Sequence, residues 1–433
     1  MGVRRACPPR ALSWWLVYIP RRLPFLGGSR DAAIVSALSS RPDRTPPRRR
    51  AAAALLGVPL LVGLSACGQA PAGLEGTDFS LATRVASPQA ESFAGTASSP
   101  AADVRAISAL VPGSAGSHTV LMRSAGGLLV ASLEEAAAGA ARAVRGLDAA
   151  AECGTPSASV HAADTFVVAC PRGEDTTAIF LIDGTTAEAT HIVDAPLRGT
   201  AAVQTAGGRI VVASATDGTV LAYTAAGEES GRTTVDRPTN TLVAVGARTY
   251  TDGADAEHTS GEADGDAIVA INADDTVIQG VKVDLGRPGA ALRIGTGVGQ
   301  AVPGGDNMVL ATNVPGNQLF VYTVEPVIRL HQVGNTGTGP WAVAWDAARN
   351  LAWVSTTGDN TLTAYRLSGG VPEAVGSVDA PANVTSLAVV DGSLLVATDG
   401  ADSAPALVVV DAAAATAAVS DPGRTDFAPR RGQ

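Results

Sequence analysis

Pro340 to Gly370, PWAVAWDAARNLAWVSTTGDNTLTAYRLSGG, limits the folds open to this chain more than any other stretch. Trp341, Val343 and Trp345 alternate with Ala342 and Ala344, the period of a strand. Asp346 to Asn350 reads as a short polar turn. Leu351 to Ser355 reads as a second strand, with Trp353 and Val354 giving β-favouring bulk. Gly358-Asp359-Asn360 is turn chemistry, because Gly and Asn tolerate positive φ. Thr361 to Leu367 supplies a third strand and Val375 to Val378 a fourth. Four short antiparallel strands in about 40–45 residues is the size of a propeller blade.

The same grammar recurs. Strand, turn and strand follow one another over Arg209 to Tyr223, Met308 to Tyr322, Ser393 to Asp411 and Thr165 to Asp183. Poorer copies lie around Gly126 to Ser132 and Ala244 to Asn272. That makes about seven units between Ile107 and Ser420. The expected fold is all-β, a β-propeller of seven four-stranded blades.

Gln332-Val333-Gly334, Pro340 and its strand, Gly358-Asp359-Asn360-Thr361-Leu362, and the tetrapeptide Leu310-Ala311-Thr312-Asn313 together resemble the YVTN family of propeller repeats. The likeness is good over two blades and a pattern over the rest. It departs at Ala348-Arg349-Asn350, where the family carries Asp-Gly. The whole layout also resembles propeller lipoproteins of actinobacteria.

Ahead of the repeats lies a second signal. Arg41 to Arg50 is a basic segment and Ala51 to Leu64 an apolar one of export-signal length. Leu64-Ser65-Ala66-Cys67 is a lipobox, with small residues that admit a signal peptidase and a thiol to accept the lipid. Cys67 is therefore the expected lipidation site, palmitate included, and the expected place is the extracytoplasmic face of the cell membrane. Arg48-Arg49-Arg50 leaves Sec and twin-arginine export both open. Residues 1–34 carry an apolar run too short to span, Trp14 to Ile19, and the layout points to translation starting near Val35. The expected divisions are thus 1–66 for export, 67–104 as a flexible tether, 105–420 as the propeller and 421–433 as a disordered tail. The tether is rich in Ala, Ser, Pro and Gly, and part of it is open to use as a ring-closing strand.

Charge narrows the partners. The leader holds 11 Arg against 2 Asp, a formal +9, so the total of −10 leaves −19 on the rest. Such a surface disfavours nucleic acid and anionic lipid as general partners. The expected partners are the membrane through the anchor, an envelope protein or a small ligand, with the chain a monomer.

Several residues invite a sharper reading. Cys153 and Cys170 flank a hairpin turning at His161 to Asp164, which sets residue 170 opposite about residue 155; in an oxidising space they are expected to pair. Leu133 to Asp148 looks helical but falls where outer strands belong. Asp252, Asp255, Glu257, Glu262, Asp264 and Asp266 could ligate calcium, yet no EF-hand or nonapeptide spacing is present, and a solvated loop is the expectation. His258 with Glu262 lacks a second His for zinc. Trp341, Trp345 and Trp353 are expected to pack blade on blade rather than line a ligand mouth. No phosphate loop, nucleophile elbow or zinc signature occurs, so no catalytic residue, metal ligand or cofactor is assigned. Three functions remain: a binding or scaffolding platform, a propeller enzyme (lactonase, lyase or quinoprotein-like dehydrogenase) with its site at the central channel, and, more weakly, a purely structural surface protein. Three or more carboxylate or Asn groups converging on that channel would favour the enzyme.

Overall fold

The computed structural model describes residues 79–420, apart from 102–103, 115, 148–151, 247–248, 252–256, 260–265, 306 and 402–404. Cys67 and most of the acidic insertion therefore lie outside the described residues.

Seven four-stranded antiparallel sheets form the blades of a β-propeller. Each begins with an inner strand and ends with an outer one. Blade 1 runs from Ile107–Pro112 out to Arg142–Ala143, and blade 2 from Ser157–Ala158 to Glu188–Ala195. Blade 3 runs from Gly199–Gln204 to Glu229–Thr234, and blade 4 from Thr241–Gly246 to Arg287–Arg293. Blade 5 runs from Val298–Pro303 to Arg329–Asn335, and blade 6 from Pro340–Asp346 to Glu373–Asp379. Blade 7 starts at Val384–Val390, and its outer strand is Thr96–Ser98, paired with Leu407–Val410. A piece of the Ala/Ser-rich stretch thus closes the ring, the use that its composition left open.

The core is divided among the blade interfaces. Seven apolar clusters each join two neighbouring blades, from Leu121 and Phe166 between blades 1 and 2 round to Ile107 and Leu395 between blades 7 and 1. A middle strand is therefore covered on both faces. This explains why Ile210–Ser214 and Leu351–Thr356 are buried at every residue instead of alternating with water. Burying each Val or Leu contributes about 1.5–3 kcal/mol.

Antiparallel order divides the loops between two faces. Here the upper face carries the connections from one blade to the next and those between second and third strands. The lower face carries the other two sets. Asn317 and Asn360 take φ of 51° and 51° in the upper-face turns of blades 5 and 6, a conformation that Asn tolerates better than most residues. On the lower face, α1 (Leu133–Ala138) follows the third strand of blade 1. It is opened by a capping box between Ser132 and Glu135 and stopped by Gly139 in the left-handed region. The helical reading of Leu133 to Asp148 is thus correct for one turn and a half, after which Arg142–Ala143 returns to strand. A second helix, α2 (Ala412–Ser420), packs under blades 6 and 7.

Before it reaches blade 7, the chain runs across the upper face. The backbone N–H of Ser80 donates to the Thr296 carbonyl at 3.5 Å, and the Arg84 guanidinium pairs with Asp399. Val85 lies over Gly339, where an added Cβ would sit 2.7 Å from it. Asn360 donates to the Pro88 carbonyl at 2.8 Å. This strap crosses blades 5, 6 and 7.

Candidate functional site

The inner strands make the wall of the central channel, so their side chains decide what chemistry it can do. Five of the seven lose register with the next strand near their upper ends. Each slip is a bulge that turns a residue out of the ladder: Ser108, Thr200, Gln300, Trp341 and Thr385 stand there. In blades 5 and 6 a ladder N–H group freed by the bulge is taken up by a hydroxyl of the second strand. Gln300 donates its backbone N–H to Thr312 Oγ1 at 3.0 Å, and Ala342 donates to Ser355 Oγ at 2.9 Å. Thr312 is the third residue of the Leu310-Ala311-Thr312-Asn313 tetrapeptide. Its hydroxyl also donates to the Trp341 carbonyl of the next blade at 2.8 Å. Asn313, the fourth, accepts the Thr296 N–H at 3.1 Å. The tetrapeptide is thus a device for holding a bulge and joining blades.

Two bulge residues converge. Gln300 Nε2 of blade 5 and Trp341 Nε1 of blade 6 both donate to the Thr385 carbonyl of blade 7, at 2.8 and 3.1 Å. The Thr385 hydroxyl in turn donates to the Ile107 carbonyl of blade 1. Four blades are linked through one residue. These groups bear no charge, and the Trp341 indole N–H and the Thr385 hydroxyl are already engaged.

Carboxylates do not gather on this wall. Among the described inner-strand residues the sole acid is Asp346, fully buried at the lower end of its strand. It accepts from Arg349 Nη1 at 2.5 Å and from Trp353 Nε1 at 3.3 Å. Among the described residues no three of His, Cys, Asp and Glu come close enough to hold a metal. The acidic stretch emerges from blade 4 on a short hairpin, Thr249–Thr251 with Glu257–Thr259. Of its six acids, the Asp252, Asp255, Glu262 and Asp264 positions lie outside the described residues.

The three tryptophans pack between blades. Trp353 is fully buried against blade 7, Trp341 lies against the same cluster, and Trp345 faces blade 5. Cys153 and Cys170 form a disulfide across the start of blade 2. The pairing of Ser157 with Val167 and Ala158 with Phe166 sets residue 170 opposite residue 154, one position from the expected 155.

Shifted ionisations belong to structure. The Thr185 hydroxyl bonded to Asp183 holds that carboxyl below its usual range, and the Thr219 N–H does the same for Asp217. Both serve turns on the blade faces. Burial pushes the phenols of Tyr223 and Tyr365 up to about 12, and that of Tyr322 in the same direction. A cleft of about 380 Å³ lies beside Ala97 and Arg105 at the upper edge of blade 7, and one of about 220 Å³ beside Arg349 and Arg366 beneath blade 6.

The sequence matches no protein-family model and no curated protein sequence. Similarity appears in the fold. A chain from the "Crystal Structure of Mitotic Checkpoint Complex" aligns with a TM-score of 0.52 at 13% identity, covering 76% of this chain and 95% of its own. A chain of Kuenenia stuttgartiensis hydrazine synthase aligns at 0.48 and 10% identity, covering 71% and 96%. At such identities the likeness concerns the fold alone, and this fold hosts many functions. The fold class is therefore established as a seven-bladed propeller, usable as a binding platform or as an enzyme scaffold.

Proposed function

We propose that this chain is an exported lipoprotein, held at the extracytoplasmic membrane face by acylated Cys67, whose YVTN-type propeller is a platform for an envelope protein or ligand. The observation that carries the platform reading is the chemistry of the inner strands. They bring Ser, Thr, Gln and Trp to the bulge level, and the acid at their lower end, Asp346, is committed to Arg349 and Trp353. Among the described residues, carboxylate pairs of the sort that acid–base catalysis uses are not assembled there. What the ring offers instead is rigidity, with seven interfaces holding two sets of loops in fixed array.

The test is an affinity pull-down of the protein from gently solubilised membranes, read by mass spectrometry beside a Cys67→Ala control. A stoichiometric envelope protein is the expected result. Recovery of the folded, abundant protein without any such partner would overturn the scaffold reading and move attention to small ligands.

A further inference from the structure

Among the described residues five large apolar side chains are exposed: Leu81 on the upper-face strap, and four others that share one region. Leu285 (59% exposed), Val327 (48%) and Val371 (60%) occupy the same loop, between third and outer strands, in the consecutive blades 4, 5 and 6. Leu330 (44%) follows Val327 on the outer strand of blade 5. All four sit on the lower outer rim of one sector.

Cations that pair with no acid among the described residues stand beside them. Arg287 and Arg329 are the first residues of the outer strands of blades 4 and 5, and both are exposed. The acids nearest in sequence are already neutralised: Asp284 pairs with Arg209 at 2.6 Å, and Glu325 pairs with Lys282. The corner thus carries local positive charge on a chain that is acidic as a whole.

The chain enters the described structure at the opposite, upper end of the same blade. Phe79 stacks on Arg293, its ring centroid 4.0 Å from the guanidinium carbon. Arg293 ends the outer strand of blade 4 that Arg287 begins. Eleven residues separate Phe79 from Cys67. A segment of that length reaches at most about 40 Å, whereas a seven-residue strand spans about 20–23 Å.

We propose that the lower outer corner of blades 4 and 5 is a docking edge for an anionic lipid bilayer. Leu285, Val327 and Leu330 enter the headgroup boundary, and Arg287 and Arg329 meet lipid phosphates. Leu285 and Val327 stand on loops of separate blades, and Leu330 lies on the strand just after Val327, a dispersed pattern that suits a lipid surface better than a contiguous protein hot spot. The general acidity of the chain works against face-on attraction, so the contact is confined to this edge. The inference rests on the anchor reading for its setting, since the edge binds too weakly to hold a protein unaided.

The test uses the full chain with Cys67→Ala, so that no acyl group contributes. Binding is titrated by co-sedimentation with vesicles of 70% phosphatidylcholine and 30% phosphatidylglycerol. A second chain adds L285S, V327S, L330S, R287E and R329E, and circular dichroism checks its folding. Any contribution of the apolar leader is common to both chains. Five-fold or greater weakening in the rim variant, with the difference narrowed but not abolished at about 0.5 M salt as the arginine contribution is screened, is the expected result. Equal binding by the two chains overturns the proposal. So does rim-dependent self-association in sedimentation velocity without rim-dependent vesicle binding, which would make the corner an interface between copies. Should the variant misfold, R287E with R329E alone is expected to weaken binding at least three-fold, and no change in that pair also overturns it. Failure of the anchor reading is seen separately, as unchanged membrane partition of wild type and Cys67→Ala in cells.

Discussion

Arg349 holds the carboxylate of Asp346 from three residues away, its Nη1 2.5 Å from Oδ2 and its backbone N–H 3.1 Å from Oδ1. The same guanidinium donates to the Gly392 carbonyl of blade 7 at 2.9 Å and to Ala412 and Thr416 of α2, each at 2.8 Å. Arg349 stands in the Ala348-Arg349-Asn350 turn between the first two strands of blade 6. That turn is thus a joint between two blades and a helix. Replacing Arg349 by Met leaves a buried carboxylate without its cation, and such a loss costs about 3–5 kcal/mol. Urea denaturation is expected to show that loss, and Asp346→Asn in the same chain is expected to restore part of it.

The disulfide between Cys153 and Cys170 closes a loop of 17 residues at the start of blade 2. The inner strand there is just Ser157–Ala158, so few ladder bonds hold this segment. A loop of this size contributes about 3 kcal/mol through the unfolded chain. Cys153→Ala with Cys170→Ala is expected to lower stability by that order, and reductant is expected to destabilise the parent but not the double variant. Thermal melts with and without reductant read both effects.

Alkaline pH is expected to weaken the ring. The phenols of Tyr223 and Tyr365 are raised by burial to about 12, from the ordinary 10. Between these values the unfolded chain has released protons that the folded chain keeps. The unfolded state then binds fewer protons, so stability falls as pH rises. It is fully present below pH 10 and is lost between about 10 and 12. Tyr223→Phe is expected to flatten the slope of urea midpoint against pH in that window.

Cys67→Ala is expected to move the protein from the membrane fraction to the soluble one. Fractionation and immunoblotting of the two chains check this. An unchanged distribution would place the anchor elsewhere.

The blades were legible because their turns are punctuated. Gly358-Asp359-Asn360 and Pro315-Gly316-Asn317 mark the hairpins of blades 6 and 5, and the expected fourth strand at Val375 to Val378 lies inside Glu373–Asp379. The tryptophans pack as expected, since indoles of that size fill spaces between sheets. What could not be read has physical reasons. Thr96–Ser98 is a strand because Leu407–Val410 presents an open edge to it, and nothing in its own composition says so. Ala412–Ser420 is so rich in Ala that no apolar stripe distinguishes it. The bulges at Gln300, Trp341 and Thr385 keep the ordinary look of alternation, and their meeting at one carbonyl joins residues 85 and 44 positions apart. Such a constellation depends on ring closure, which pattern reading does not supply.

That closure sets an order of events. Thr96–Ser98 leaves the ribosome long before Leu407–Val410, its partner strand, exists. The six blades between can stack as they are made, each on the one before. The clasp itself must wait with its edge unpaired until the last blade is complete. A chain cut short anywhere in blade 7 would therefore lose its final sheet and also strand the segment that was made first.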